Sequence, residues 1–208
     1  EKFESPYIQT ARLIEAYDEI IRTWNPAPGI QFTANGEPLL HPDREKLITY
    51  PAERGLKVGL TTNGIILTPD LVEQFCQAGV SMVNVSVDAA TPETYAKVRP
   101  TRLRRTNHFK RVVENVRRAV EVRNASGAST KIMINMIERP ESAHEKEAFT
   151  KLGTELGVDN ISIRPLNTTA GLTPFGHKGP EVTAIKNGVV TQIDGQDRWP
   201  CHFPFKRL

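Results

Sequence analysis

The chain has 208 residues, 38% of them hydrophobic and 25% charged, with a net charge of +3. That is the balance of an ordinary water-soluble protein with one substantial core, and no apolar run approaches the ~20 residues needed to cross a bilayer. The two cysteines, Cys76 and Cys201, exclude a disulfide framework, a four-cysteine zinc site and a self-contained three-cysteine cluster site.

The first predicted helix, about Ala11 to Trp24, puts Leu13, Tyr17, Ile20, Ile21 and Trp24 on one face. A Pro-rich break at 25–29 ends it, and a short strand from Ile30 to Thr33 follows. The next helix starts near Asp43, carries Leu47 and Ile48 inward and stops at Gly55, with Pro51 expected to kink or shorten it. A second strand covers Lys57 to Thr62. Thr68-Pro69-Asp70 has the makings of a helix start, namely a threonine cap, proline at the first helical position and an early acid. That helix buries Leu71, Val72, Phe75 and Cys76, which makes Cys76 a small core residue, and Gly79 closes it.

A third strand runs from Met82 to Val87. Thr91-Pro92-Glu93 opens a short helix, and a longer one from Phe109 to about Arg123 buries Val112, Val113, Val116 and Val120. A fourth strand covers Lys131 to Ile137. The helix after it turns Phe149, Leu152 and Leu156 inward up to Gly157, and a fifth strand covers Asn160 to Arg164. Strand–helix repetition of this kind implies parallel strands joined by right-handed crossovers. Residues 165–200 are rich in glycine, proline and threonine and read as a connector leaving that unit, with a hairpin turn at Asn187-Gly188.

The strands alternate. Val83, Val85 and Val87 oppose Asn84, Ser86 and Asp88; Ile161 and Ile163 oppose Asn160, Ser162 and Arg164; Asn135 faces away from Ile134. A doubly wound sheet would show continuous apolar strands, and a closed barrel would fill its interior with branched aliphatics. One apolar and one polar face fit an incomplete barrel with helices outside and a hydrated or ligand-filled lumen inside.

In such folds the chemistry sits where strands end. The first strand ends in Asn35-Gly36-Glu37-Pro38, where glycine admits a close ligand, glutamate offers an acceptor suited to an ammonium group and proline stiffens the exit. The second and third end in Thr61-Thr62-Asn63-Gly64 and Ser86-Val87-Asp88, and the fourth carries Asn135 and the fifth Arg164-Pro165. Hydroxyls, amides and charged groups converging on one rim can hydrogen-bond a ribose and an amino acid. Nine cations among 97–118, opposed only by Glu114, could attract phosphate, carboxylate or an acidic peptide, or serve as a solvated helix face. Aromatics are not interleaved with them, which argues against nucleic acid. Among the histidines, His41 shapes a helix entry, His108 and His144 sit at helix starts, and His177 and His202 are open to a cluster or substrate.

Over residues 13–166 the sequence resembles the radical S-adenosylmethionine (SAM) superfamily. Gly36-Glu37-Pro38 is similar to that family's Gly-Gly-Glu-Pro motif, with Asn35 where the first glycine is usual. The resemblance continues through Thr61-Thr62-Asn63-Gly64 and Val83-Asn84-Val85-Ser86-Val87-Asp88. It implies an α/β fold, a partial (β/α)6 TIM-like barrel over 1–166 that binds SAM beside a [4Fe–4S] cluster. On that basis Gly36 and Glu37 hold the methionine amine, Ser86 and Asn135 serve the ribose or carboxylate, and Thr62 lines the same pocket. Either Arg99 or Arg164 pairs with the carboxylate. The family's chemistry is reductive cleavage of SAM to a 5′-deoxyadenosyl radical, which abstracts a substrate hydrogen.

The resemblance also sets expectations for the ends. The family's three-cysteine loop belongs before Leu13, where the chain has no cysteine, so the chain is expected to be a fragment that is inactive alone. Trp199-Pro200-Cys201-His202-Phe203 resembles the opening of a SPASM-type extension, with 167–208 as connector and start of that region and Cys201 as first ligand of an auxiliary [4Fe–4S] cluster. A peptide or sugar-like small molecule is the expected substrate, and a flavodoxin or ferredoxin the expected electron donor. The alternatives are a GTP 3′,8-cyclase-like enzyme and a cluster-free barrel that docks a ligand or partner. With neither a spanning segment nor a leader at 1–10, a cytoplasmic location without membrane or nucleic-acid partners is expected.

Overall fold

The cap residues do what their chemistry suggests. Thr68 opens α3 (Pro69–Ala78) by accepting from the Leu71 N–H at 3.4 Å, and Gly79 ends it in the left-handed region at φ +78°. Thr91 opens α4 (Pro92–Val98) in the same way, accepting from the Thr94 N–H at 3.3 Å. The computed structural model describes residues 7–24, 29–33, 36–100 and 108–166, with the backbone of 182–186 and 189–193. The other helices are α1 (Thr10–Thr23), α2 (Arg44–Glu53), α5 (Phe109–Ser126) and α6 (Lys146–Leu156). Pro51 falls in the last turn of α2, where it removes the N–H that would reach the Leu47 carbonyl, and only Ala52 and Glu53 follow it before the helix ends.

Strands β1 (Ile30–Phe32), β2 (Val58–Thr62), β3 (Met82–Ser86), β4 (Lys131–Glu138) and β5 (Asn160–Pro165) lie side by side in chain order, each parallel to the next. This is the α/β arrangement of a partial barrel. The region read as a connector supplies two more strands: β6 (Val182–Lys186) pairs antiparallel with β5, and β7 (Val189–Ile193) antiparallel with β6. Lys186 stands opposite Val189, as a two-residue turn requires, although Asn187-Gly188 lies outside the described residues.

Register turns the alternation into layers. Thr62, Val85, Ile134 and Ile161 form one row across the sheet, and Leu60, Val83 and Ile132 another. These rows face the helices. Apart from Thr62 they merge with Leu71, Val72 and Phe75 of α3, Val112 and Val116 of α5 and Phe149 of α6 into one core. The opposite face carries Thr61, Asn84, Met133 and Asn160 in one layer and Ser86, Asn135 and Ser162 in the next, toward the carboxyl ends of the strands. Val113 and Leu152 pack at the margin of the core, and Cys76 is buried within it. The sheet therefore has one sealed face and one polar face.

Candidate active site

The rim is assembled in pieces, each tied to a strand end. Glu37 follows β1 and caps the short 3-10 turn Pro38–Leu40, its Oε1 accepting from the Leu39 N–H at 3.1 Å. The same oxygen accepts from Thr62 Oγ1 at 2.6 Å, and Oε2 accepts from the Asn63 N–H at 2.6 Å. A carboxylate has about four lone-pair sites, so two donors from the end of β2 and one from the Leu39 N–H hold Glu37 and leave capacity for one more. Thr62 is 2% exposed and lies in the helix-facing row, so it does not line the open rim as expected; it supports Glu37 from behind. Gly36 has open space where a Cβ would stand, with no atom of the described residues beyond its chain neighbours within 4 Å. Neither packing against the described residues nor a positive φ requires glycine there.

Gly64 is different. Its φ is +74° and a Cβ would come within 2.6 Å of Val85 Cγ1, so glycine is required by the fold. Asn115 of α5 secures this loop by donating from Nδ2 to the Gly64 carbonyl at 2.8 Å and the Ile65 carbonyl at 3.2 Å. Sequence reading had passed over Asn115; the available signal was a polar residue between the inward Val112 and Val116.

At the centre, Ser86 Oγ donates to Asn135 Oδ1 at 3.0 Å, so these two expected ligands are brought together. They lie opposite one another on β3 and β4, with Ser162 next in the row. Asp88 follows at φ +63°, the only non-glycine residue with positive φ among the described residues. Its Oδ1 accepts from the Ile137 N–H at 2.8 Å, and its Oδ2 accepts from Arg99 Nε at 2.9 Å and Nη2 at 2.7 Å. Arg99 is thus committed to Asp88, whereas Arg164 stands exposed at the end of β5 with Nε donating to Ser162 Oγ at 3.0 Å. No acid pairs with Arg164 among the described residues.

Glu145 is a second residue that sequence reading did not find. It is 4% exposed and accepts from the Ala90 N–H at 2.7 Å and from the Thr91 hydroxyl, fastening the loop after β3 to the start of α6. Burial, the largest single influence, pushes its carboxyl up, but the donors from Thr91, Ala90 and Thr94 together hold it below the ordinary value. Its only sequence signal was an acid beside a helix start. His41 shapes the entry to α2, its Nδ1 accepting from the Asp43 N–H at 3.0 Å. Asn35, His177, Cys201 and His202 lie outside the described residues.

The family model described as "Radical SAM superfamily" matches residues 4–146, more than half of the chain. The chain belongs to the radical SAM superfamily. Over 82 residues it is 40% identical to the "AdoMet-dependent heme synthase" of Methanosarcina barkeri, which covers 39% of this chain and 23% of that protein. Over 133 residues it is 29% identical to a "Probable GTP 3′,8-cyclase" of Saccharolobus islandicus, covering 64% and 40%. The chain therefore spans less than half the length of these curated relatives. Among solved structures, native anSMEcpe with bound AdoMet and Cp18Cys peptide superposes with a TM-score of 0.57 at 16% identity, over 76% of this chain and 43% of that one, a likeness of fold.

The radical SAM fold places demands that the described residues meet in part. For SAM they offer an open backbone position at Gly36, a clamped carboxylate at Glu37, the Ser86–Asn135 pair and the Arg164 guanidinium, a donor and acceptor set that suits an amino acid and a ribose. A [4Fe–4S] cluster needs thiolates, and there the described residues do not fit. Cys76 is sealed in the core at 8% exposure, and no group of three or more His, Cys, Asp and Glu able to hold a metal occurs among the described residues. No described helix is long and apolar enough to cross a membrane.

Proposed function

We propose that this chain is the SAM-binding barrel of a radical SAM enzyme that acts on a peptide. The observation that carries the reading is the Glu37 clamp beside the open face of Gly36, because it fixes an acceptor where an ammonium can meet it and leaves the adjoining backbone accessible. In this reading Glu37 and Gly36 orient the methionine amine, Arg164 faces the carboxylate, and Ser86 with Asn135 holds the ribose hydroxyls. Thr62, Asp88 and Arg99 position those groups from behind. Bound SAM with a reduced [4Fe–4S] cluster would supply one-electron cleavage chemistry, giving a 5′-deoxyadenosyl radical that takes a substrate hydrogen. The cluster ligands, including Cys201 for an auxiliary cluster in a SPASM-type extension, would come from residues other than those described. The peptide substrate is supported by the peptide-bound fold relative. A flavodoxin or ferredoxin is the fitting class of reductant, and a cytoplasmic setting is proposed with it.

The test is an anaerobic assay for 5′-deoxyadenosine with the complete reading frame, reconstituted with iron and sulfide and supplied with SAM and reductant. Product formation that collapses in Ser86→Ala and Asn135→Ala supports the reading. Protein that neither binds iron and sulfide nor releases 5′-deoxyadenosine would overturn it. The similarity to a probable GTP 3′,8-cyclase over 64% of the chain favours one second reading, a nucleotide substrate, and GTP-dependent product in the same assay would select it.

A further inference from the structure

Asn63 directly follows β2, so its parity is that of Thr61, on the open side of the sheet. The register Thr61↔Asn84 and Thr62↔Val85, carried one residue further, sets Asn63 beside Ser86. It thereby extends the rim layer of Ser86, Asn135 and Ser162 toward β1. Its own N–H donates to Glu37 Oε2 at 2.6 Å, which places it between the Glu37 carboxylate and the Ser86–Asn135 pair.

Elementary bonding orients its side chain. The Ile65 N–H can only donate, and it lies 2.9 Å from the Asn63 side-chain oxygen. That contact closes an Asx turn and fixes which end of the amide is which. The nitrogen is therefore the free end. Nδ2 has no acceptor among the described residues, and unlike the oxygens of Asn84 and Asn160 it is not enclosed, since Asn63 is only half-buried. The loop that carries it is held firmly, with the Gly64 N–H donating to Thr62 Oγ1 at 3.1 Å and Asn115 donating to the Gly64 and Ile65 carbonyls. An ordered donor loses little entropy when a ligand uses it.

The chemistry of an amino acid selects the partner. Its ammonium and carboxylate share one carbon, so their polar atoms stand about 3 Å apart. An ammonium on Glu37 leaves the carboxylate within reach of whatever adjoins Glu37 on the rim. Glu37 is itself an acceptor, and Ser86 Oγ spends its proton on Asn135 Oδ1. Asn63 Nδ2 brings two N–H donors to that place. A neutral amide also suits it better than a cation, which would compete with the ammonium for Glu37.

We infer that Asn63 is a further binding residue of the rim, whose Nδ2 donates to the carboxylate of the methionine moiety while Glu37 takes its ammonium. This rests on the reading of the rim as the SAM site and adds the group that reads the acid beside the amine. Arg164, three strands away, contributes its charge at longer range.

Asn63→Asp isolates the donor, because an aspartate oxygen still accepts from the Ile65 N–H and only the amide nitrogen is exchanged. Asn63→Ser is the uncharged companion, whose hydroxyl can close the same turn without an amide. The complete, anaerobically reconstituted protein is titrated by calorimetry with S-adenosylhomocysteine and with 5′-(3-aminopropylthio)adenosine, which keeps the amine and lacks the acid. The parent should prefer S-adenosylhomocysteine. That ligand should weaken at least about tenfold in Asn63→Asp and about threefold to tenfold in Asn63→Ser, while the decarboxylated analogue is weakened by neither. Asn63→Ser should melt within about 2 °C of the parent. The ratio of the two dissociation constants is the decisive readout, because any disturbance of Glu37 reaches both ligands through the amine they share. An unchanged ratio in both variants, or a parent that binds the analogue as tightly as S-adenosylhomocysteine, overturns the assignment while the rim reading stands. A parent that binds neither ligand removes the reading on which the inference rests.

Discussion

Replacing Asp88 by Asn is the most informative single perturbation of the rim. Asn tolerates the left-handed backbone that Asp88 adopts at φ +63°, so the substitution adds no strain there. It also keeps an acceptor for the Ile137 N–H. What it removes is the charge that accepts two hydrogen bonds from Arg99, with side-chain exposures of 27% for Arg99 and 4% for Asp88. Breaking a fully buried pair costs about 3–5 kcal/mol, and the partial exposure of Arg99 lets water recover part of that. A loss of about 2 kcal/mol follows, or a fall in Tm of roughly 4–8 °C for a protein of this size. Thermal unfolding of Asp88→Asn, Arg99→Gln and the double variant measures it, and the double-mutant cycle should return a coupling of about 1–2 kcal/mol. Because the Val87 and Asp88 N–H groups both donate to the Asn135 carbonyl, at 3.1 and 3.2 Å, affinity for S-adenosylhomocysteine should weaken with stability. A Tm within about 1 °C of the parent, or additive single effects, would refute the claim that this pair locks the ends of β3 and β4 together.

Gly36→Ala should leave Tm unchanged, because its Cβ meets none of the described residues within 4 Å, yet weaken S-adenosylhomocysteine on the order of tenfold if the proposed SAM site is right; unchanged affinity would remove Gly36 from that site. Gly153→Ala should lower stability by about 1–3 kcal/mol in chemical denaturation despite alanine's helix preference, since the new Cβ would stand 2.5 Å from Ile161 Cδ1, and Ile161→Val should restore part of the loss. Acid should destabilise the protein through Glu145 and Asp159, whose hydrogen bonds outweigh burial and hold both carboxyls below their ordinary values of 4.5 and 3.8. A depressed folded value means that the stabilisation is complete above the unfolded value and drains away as pH falls below it, so the urea midpoint should drop from about pH 4.5 downward and Glu145→Gln should flatten the slope. An identical slope in that variant would exclude Glu145 as a source.

Much of this fold was legible because the local rules agreed with one another. Thr68-Pro69 and Thr91-Pro92 opened helices as written, the Val83–Val85 alternation assigned faces correctly, and Ser86 fell at the end of β3 with Asn135 opposite it on β4. What could not be read was which polar residue bonds to which. Thr61 and Thr62 are adjacent hydroxyls at one strand end, but register places Thr62 on the sealed side with Glu37 and Thr61 on the open side with Asn84. Arg99 and Arg164 were equal candidates until the turn at Asp88 drew Arg99 away. The contributions of Asn115 and Glu145 are tertiary, made across 51 and 55 residues, and no local pattern announces such contacts. The hairpin of β6 and β7 was announced by its Asn187-Gly188 turn, but not its docking on β5, because an antiparallel pairing needs no crossover helix to signal it.

The polar residues of this chain thus divide by the side of the sheet on which their strand parity puts them, more than by residue type. Thr62 on the helix side spends its hydrogen bonds on the protein, and Asp88, just past the end of β3, does the same, so both give the rim its shape. On the open side satisfaction is graded with depth. At the rim Ser86 and Asn135 hold each other at 3.0 Å, a pairing that keeps both side chains ordered and that a ribose hydroxyl can join or exchange without leaving a buried group unpaired. One layer down, the buried side-chain oxygens of Asn84 and Asn160 have no donor among the described residues. A site meant for a cofactor that comes and goes gains from the first arrangement, since its empty form costs little.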